Sequence, residues 1–248
     1  LRAYRRAFQV FQRQGQAQDA AIALRNMAVC HTNLNAFSQA FRTYARARAY
    51  GVSHGFALFV AEVDYNVAYV HYLRGEYGRA IALYRETRLA CQTVGDRYHE
   101  ALCDLYQAEM FLDLNMATEA SDLAMASLER FTGLSMAYES AKATAVLAMA
   151  ASAAGDTTLA LERFRDARAR FLREENRVWT ALIDVHMAAA HVKAGEPETA
   201  ADLLASSRAV FASVGLSKKV ALCDVLLGRA ALEGDPAAQR RRRHLPAS

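Results

Sequence analysis

The chain has 248 residues, 53% of them hydrophobic, with only 3 prolines and 12 glycines, and is rich in the residues that lose least on entering a helix, so it reads as all-α. Its formal charge of +4 equals the run Arg240, Arg241, Arg242 and Arg243, and the neutral remainder lacks the basic footprint that nucleic acid requires of a folded partner. No apolar stretch of about 18 residues is present to span a bilayer, and the N-terminal LRAYRRAF has no signal-peptide core, so no membrane partner is expected and the localisation reads as cytoplasmic.

In chain order, a helix is predicted over 1–14 and ends at Gly15. Helices follow over 17–34, ending at Asn35, over 36–50 before Gly55, over 56–74 ending at Gly75, and over 76–94 ending at Gly95. The second half repeats the scheme with 97–114 and Asn115, 116–132, 136–154 and Gly155, 156–174, 177–194 and Gly195, 196–214 and Gly215, and 217–233. Gly and Asn tolerate the left-handed conformation that stops a helix. Each helix of roughly 18 residues is about 27 Å long.

The spacing is a period of forty residues. Ala40, Ala80, Ala120, Ala160 and Ala200 form one row, and Ala28, Ala68, Ala108, Ala148 and Ala188 another. A third contains Ala21, Ala61, Ala101, Ala141, Ala181 and Ala221. Each period therefore holds two helices, a first-type and a second-type, which small residues let approach closely, while Tyr44, Tyr84 and Phe164 fill the remaining space. One pair cannot cover its own apolar face, so the pairs must stack.

The segment from Tyr65 to Tyr84, with Ala68, the turn residue Gly75, Tyr77, Ala80 and Tyr84, resembles the tetratricopeptide repeat, and weaker copies run from Leu1 to about Glu233. The resemblance implies a right-handed superhelical solenoid of about six antiparallel helix pairs over 1–233, with no catalysis and no cofactor or metal. Residues 234–248 would form a basic tail or the start of a further segment. Forty residues instead of thirty-four, and the stretch from Phe171 to Trp179 followed by Ile183 and Asp184, are similar to the long-repeat arrays of bacterial CHAT proteins and MalT-like regulators. The family's clamp for a C-terminal carboxylate is incomplete. Asn26 and Asn66 stand in its register, but Ile22, Leu102 and Tyr106 replace the basic residues, so chaperone-tail binding is not expected.

His31, His71 and His191 share one register, yet equivalent helices stand about 8–10 Å apart, too far for ligands that must approach a metal to about 2 Å. They are expected in interhelix packing. Asp64, Asp104, Asp184 and Asp224 form another row, and a partly buried Asp there needs a donor such as an Arg, a Tyr or a backbone amide of the adjacent helix. Cys30, Cys91, Cys103 and Cys223 lack CxxC spacing and read as small buried hydrophobes. No phosphate loop, HExxH or nucleophile elbow occurs.

The inner stripe of the first-type helices, opposite the Ala rows, is the expected working surface. It carries Tyr65, Tyr69 and Tyr72 at i, i+4 and i+7, with Arg25 and Asn26 before them, Asn66 among them and Glu109 after. Tyrosines of this kind are either a binding stripe or packing between helices; both readings stand at this point. Further along, Ala145, Met149, Ser152, Val185, Ala189 and Val192 make an apolar wall that a partner would cover. That partner is a peptide, a protein, another domain of the parent protein or a second copy. The chain begins in a second-type helix and ends after a first-type one, which reads as part of a longer protein in which Phe8 or Phe11 would be left exposed or covered by another chain. The expected function is an interaction scaffold or regulatory module. The alternative is a sensor domain for a small-molecule or peptide signal in a transcription regulator or protease.

Overall fold

A computed structural model describes residues 1–234; the Arg240–Arg243 run and the predicted tail lie outside the described residues. Twelve helices and no strands occur among them: α1 (Arg2–Arg13), α2 (Ala17–Asn33), α3 (Phe37–Ser53), α4 (Ala57–Leu73), α5 (Tyr77–Val94), α6 (Arg97–Asp113), α7 (Ala117–Gly133), α8 (Ala137–Ala153), α9 (Thr157–Arg173), α10 (Arg177–Ala194), α11 (Pro197–Ser213) and α12 (Ser217–Gly234). The even-numbered helices are the first type, the odd-numbered ones the second.

The element that repeats most strictly is the break between helices. A left-handed residue stands every twenty positions, at Gly15, Asn35, Gly55, Gly75, Gly95, Asn115, Ser135, Gly155, Glu175, Gly195 and Gly215. The amide of the following residue reaches five positions back, as from Ala36 to His31 O, Met136 to Phe131 O and Asn176 to Phe171 O, each 2.9 Å. This closes a Schellman turn and satisfies a carbonyl that the helix end leaves open. The same following residue is the N-cap of the next helix, so no linker separates the helices.

One predicted boundary is corrected. The helix over 36–50 runs on to Ser53, two residues before Gly55, with Gly51 buried inside it. A Cβ built there would fall 2.8 Å from a Phe59 ring carbon and 3.0 Å from Val60 Cγ2, so Gly51 serves close approach of α3 and α4.

Two alanine rows lie throughout where the spacing requires, and the third does so from Ala21 to Ala181, whereas Ala221 on the last helix is exposed because no further helix packs over it among the described residues. Ala28, Ala68, Ala108, Ala148 and Ala188 are fully buried, as are Ala40, Ala80, Ala120, Ala160 and Ala200. The aromatic residues beside them, Tyr44, Tyr84, Phe131, Phe164, Phe171 and Phe211, are the largest fully buried side chains. Helices pack chiefly on their chain neighbours.

The Asp row finds arginines. Arg48 Nε donates to Asp64 at 2.8 Å, Arg88 to Asp104 at 2.8 Å, Arg168 to Asp184 at 2.5 Å and Arg208 to Asp224 at 2.6 Å, always sixteen residues apart. Each staple joins a second-type helix to the first-type helix after it. Where the staple is absent both partners change together, to Phe8 with Leu24 and to Leu128 with Thr144. This paired exchange within one chain is what a low-dielectric contact demands, since either charge alone would be costly to bury.

The chain packs as two compact units, Leu1–Met110 and Phe111 onward, with the division in the last turn of α6. In the first, Ala21, Leu24, Tyr44, Phe59 and Val63 gather α2, α3 and α4, while Ala68, Ala80, Tyr84, Cys103 and Met110 gather α4, α5 and α6. Helix α1 contributes no fully buried residue; Tyr4 and Val10 are exposed, and Phe8 is half-buried with its ring 6.2 Å from Tyr50. In the second unit, one cluster gathers Ala148, Phe164, Phe171 and Ile183, and another gathers Ala188, Leu204, Phe211 and Cys223.

Candidate functional site

Helices α2 and α4 of the first unit frame a groove of about 490 Å³, lined by Gln18, Ile22, Arg25, Phe56, Leu58, Phe59 and Glu62 among others. Ile22 is 41% and Leu58 48% exposed, so the groove offers apolar surface to an occupant. At its inner end Arg25 of α2 pairs with Glu62 of α4, and its guanidinium lies 5.9 Å from the Phe59 ring centre. Both charges are partly buried, and pairing removes the cost of an isolated charge beside apolar walls.

On α4, Tyr65, Tyr69 and Tyr72 are half-buried and packed into a tyrosine cluster with Tyr77, Tyr84 and Tyr106. Tyr65 meets Tyr84, His99 and Tyr106 edge-on at 5.4–5.8 Å. Tyr69 meets Tyr106 at 5.5 Å and Tyr72 at 6.1 Å, and Tyr72 meets Tyr77 at 5.9 Å. The three rings are thus packed between helices without being fully buried. Burial pushes the Tyr65 and Tyr84 phenols well above their ordinary range, with the neighbouring tyrosines adding to the effect. Burial also raises Tyr69, with a contribution from the Glu109 carboxylate.

Asn66 Nδ2 donates to Glu62 O at 2.6 Å in its own helix, and Asn26 is half-buried on α2. Met149 belongs to the second unit, half-buried against the cluster around Ala148 and Phe164. The structure therefore brings Arg25, Asn26, Tyr65, Asn66, Tyr69, Tyr72 and Glu109 onto the first unit's α2, α4 and α6. The groove residues Ile22, Leu58, Phe59 and Glu62 were not singled out as a site by sequence. Their signal was the forty-residue spacing of Ile22 and Glu62, which puts both in one row of adjacent first-type helices.

The histidine row is tied to the turns. His71 Nδ1 lies 2.6 Å from Glu76 Oε2, and His191 Nδ1 lies 2.6 Å from Glu196 Oε2, each five residues on. His71 also packs at 4.8 Å on the Phe41 ring. Hydrogen bonding to His71 lowers the Glu76 pKa. No group of three His, Cys, Asp or Glu residues able to hold a metal occurs among the described residues, and no helix there is long and apolar enough to cross a membrane.

These helices define a tetratricopeptide-like solenoid, and its likenesses lie among solved structures. BtubC (BKLC) from P. vanneervenii superposes with a TM-score of 0.72 at 14% identity, covering 86% of this chain and 90% of that one. A signal transduction ATPase with a tetratricopeptide repeat sensor, PH0952 from Pyrococcus horikoshii, gives 0.69 at 13% identity over 87% of this chain, which spans 34% of that protein. The Rap conjugation gene regulator of plasmid pLS20, solved with the Phr* peptide, gives 0.69 at 14% identity over 90% of this chain and 60% of that one. No family model matches the sequence, and no curated protein does.

Proposed function

We propose that this chain is a protein-interaction module that binds an extended polypeptide along the first-type helices of its first unit. The observation that supports this best is the α2–α4 groove, whose exposed Ile22 and Leu58 flank a charge pair that is already neutralised. An apolar wall with a few fixed polar groups is the usual composition of a recognition site. The Asn and Tyr residues in adjoining rows extend that surface with side chains that combine contact area and hydrogen-bonding capacity. The similarity to a Rap regulator solved with a peptide favours a peptide signal among the ligand classes of a sensor.

The test is selection of binders from a random-peptide phage library, followed by isotherms on wild type and on the Ile22→Asp, Leu58→Asp double variant. Both side chains are exposed, so the variant should keep its melting temperature while losing about 2 kcal/mol or more of peptide affinity. Selected peptides that bind the double variant as well as wild type would sink this reading.

A further inference from the structure

The geometry points to the cavity between the start of α8 and the end of α9 as a seat for a phosphate group. The site lies in the second unit, so the inference goes beyond the α2–α4 groove reading and does not depend on it.

The cavity holds about 250 Å³ and is lined by Thr132, Ser135, Met136 and Ser140 on one side and by Arg170, Arg173 and Glu174 on the other. Ser140 is the buried member of this lining, 3% exposed, yet its hydroxyl makes no hydrogen bond among the described residues. A buried hydroxyl ordinarily has a partner. The repeats on either side supply one from within. Forty residues earlier, Glu100 stands in the row of Ser140 and accepts from Gln92 at 2.7 Å, while Asp96 stands in the row of Met136 and caps α6 by accepting from the His99 amide at 3.0 Å. Forty residues later, Thr180 donates to Asn176 O at 3.0 Å, and the Asn176 side chain caps α10 by accepting from the Trp179 amide at 3.1 Å. Met136 can do neither, and α8 has no side-chain cap. The preceding repeat therefore places carboxylates where this one has an open hydroxyl and uncapped amides.

The opposite wall is basic. Arg173 is exposed and forms no ion pair among the described residues, and Arg170 engages Asp166 through Nε at 3.1 Å, which leaves its two Nη groups to donate. Thr132 and Ser135 are exposed and add two further hydroxyls. Glu174 is the one carboxylate of the lining, against two guanidinium groups; Glu139 stands in the first turn of α8 but outside the lining. A phosphate presents three strong acceptor oxygens, enough for hydroxyls, a guanidinium and helix-start amides together.

The test titrates inorganic phosphate into isotope-labelled protein at constant ionic strength, followed by amide NMR. In parallel, fluorescence polarisation reads the binding of random short peptides with one position fixed as phosphoserine, serine or glutamate. Phosphate should shift the amides from Ser135 to Ser140, and should bind about tenfold more weakly in Arg173→Gln and in Ser140→Ala, the scale of one hydrogen bond to a charged group. Both variants should keep the wild-type melting temperature, because neither substitution removes a bond within the fold. A phosphoserine pool that binds about tenfold tighter than the serine pool, with the preference lost in both variants, supports the seat and assigns it a phosphorylated side chain. A response to inorganic phosphate without preference among the pools supports it with free phosphate as the source. Amide shifts scattered over the surface, undiminished binding in both variants, or a glutamate pool as tight as the phosphoserine pool overturns the inference. A lowered melting temperature in Ser140→Ala also counts against it, since that hydroxyl would then be bonded within the fold, and Arg173→Gln still reads the phosphate contact in that case.

Discussion

Removing the aspartate from each of the four Arg–Asp staples should give four different losses of stability, although bond and register are the same each time. The arginine and aspartate side chains are 46% and 50% exposed in Arg208–Asp224, 52% and 20% in Arg48–Asp64, 37% and 8% in Arg168–Asp184, and 26% and 2% in Arg88–Asp104. An exposed pair contributes at most about 1 kcal/mol, because water screens it and two long side chains must be held still. Losing one partner of a buried pair costs about 3–5 kcal/mol, because the other charge is stranded. Asp224→Ala should therefore cost under about 1 kcal/mol. Asp184→Ala should approach about 3 kcal/mol, tempered because Arg168 keeps some contact with water, and Asp104→Ala should cost less than its burial alone implies, because Arg88 also pairs with Glu100 at 3.2 Å. Asp64→Ala should fall between. Urea unfolding with a common m-value measures the series. The chain also suggests the repair, since one of the two stapleless pairs is Leu128 with Thr144. Arg168→Leu combined with Asp184→Thr should recover most of what Asp184→Ala loses, as apolar replacement of buried ion pairs generally does. Equal losses at all four sites, or a double variant as unstable as the sum of its single substitutions, would refute the reasoning.

Three further outcomes are expected. Glu175, a non-glycine residue at φ 53°, should yield about 1 kcal/mol of added stability when changed to glycine, measured by thermal unfolding. Gly51→Ala should lower stability by about 1–2 kcal/mol despite its better helix propensity, because the new methyl meets Phe59 at 2.8 Å, and Phe59→Leu should restore part of the loss. Tyr65 and Tyr84 have folded-state pKa values above the ordinary 10.0, so the stability they contribute is fully present below that pH and is lost as pH rises through the folded values. Base titration followed by circular dichroism and tyrosinate absorbance should show unfolding in that alkaline range, shifted to higher pH in Tyr84→Phe.

The fold was legible because its punctuation is chemical. Gly75 and Asn115 announce a left-handed residue by their identity, whereas Ser135 and Glu175 adopt the same conformation without any residue-level sign and are found only by counting twenties. Gly51 carries no such sign, since nothing in the spacing marks it as a point of close approach. The aspartate row and its need for donors could be read from spacing, but the burial that grades the staples depends on neighbours that spacing does not reveal. The tyrosine stripe was visible as a pattern, while its packing between helices required Tyr84 and Tyr106 to be seen against it. The α2–α4 groove was hidden because it is the space between two rows rather than a property of either.

The shared residue at each break, last of one turn and cap of the next, also governs how such a chain can change its length. An insertion of a few residues would separate the two roles and leave a carbonyl or an amide unsatisfied, whereas a block cut from one left-handed position to another an even number of breaks away rejoins with every hydrogen bond intact. Gly55, Gly95 and Gly215 are interchangeable seams in this sense, since each follows a second-type helix and precedes a first-type one. Excising 56–95 would bring α3 directly before α6 and set Arg48 opposite Asp104, so the arrangement that stiffens the chain also provides matching ends for shortening or duplicating it in units of forty residues.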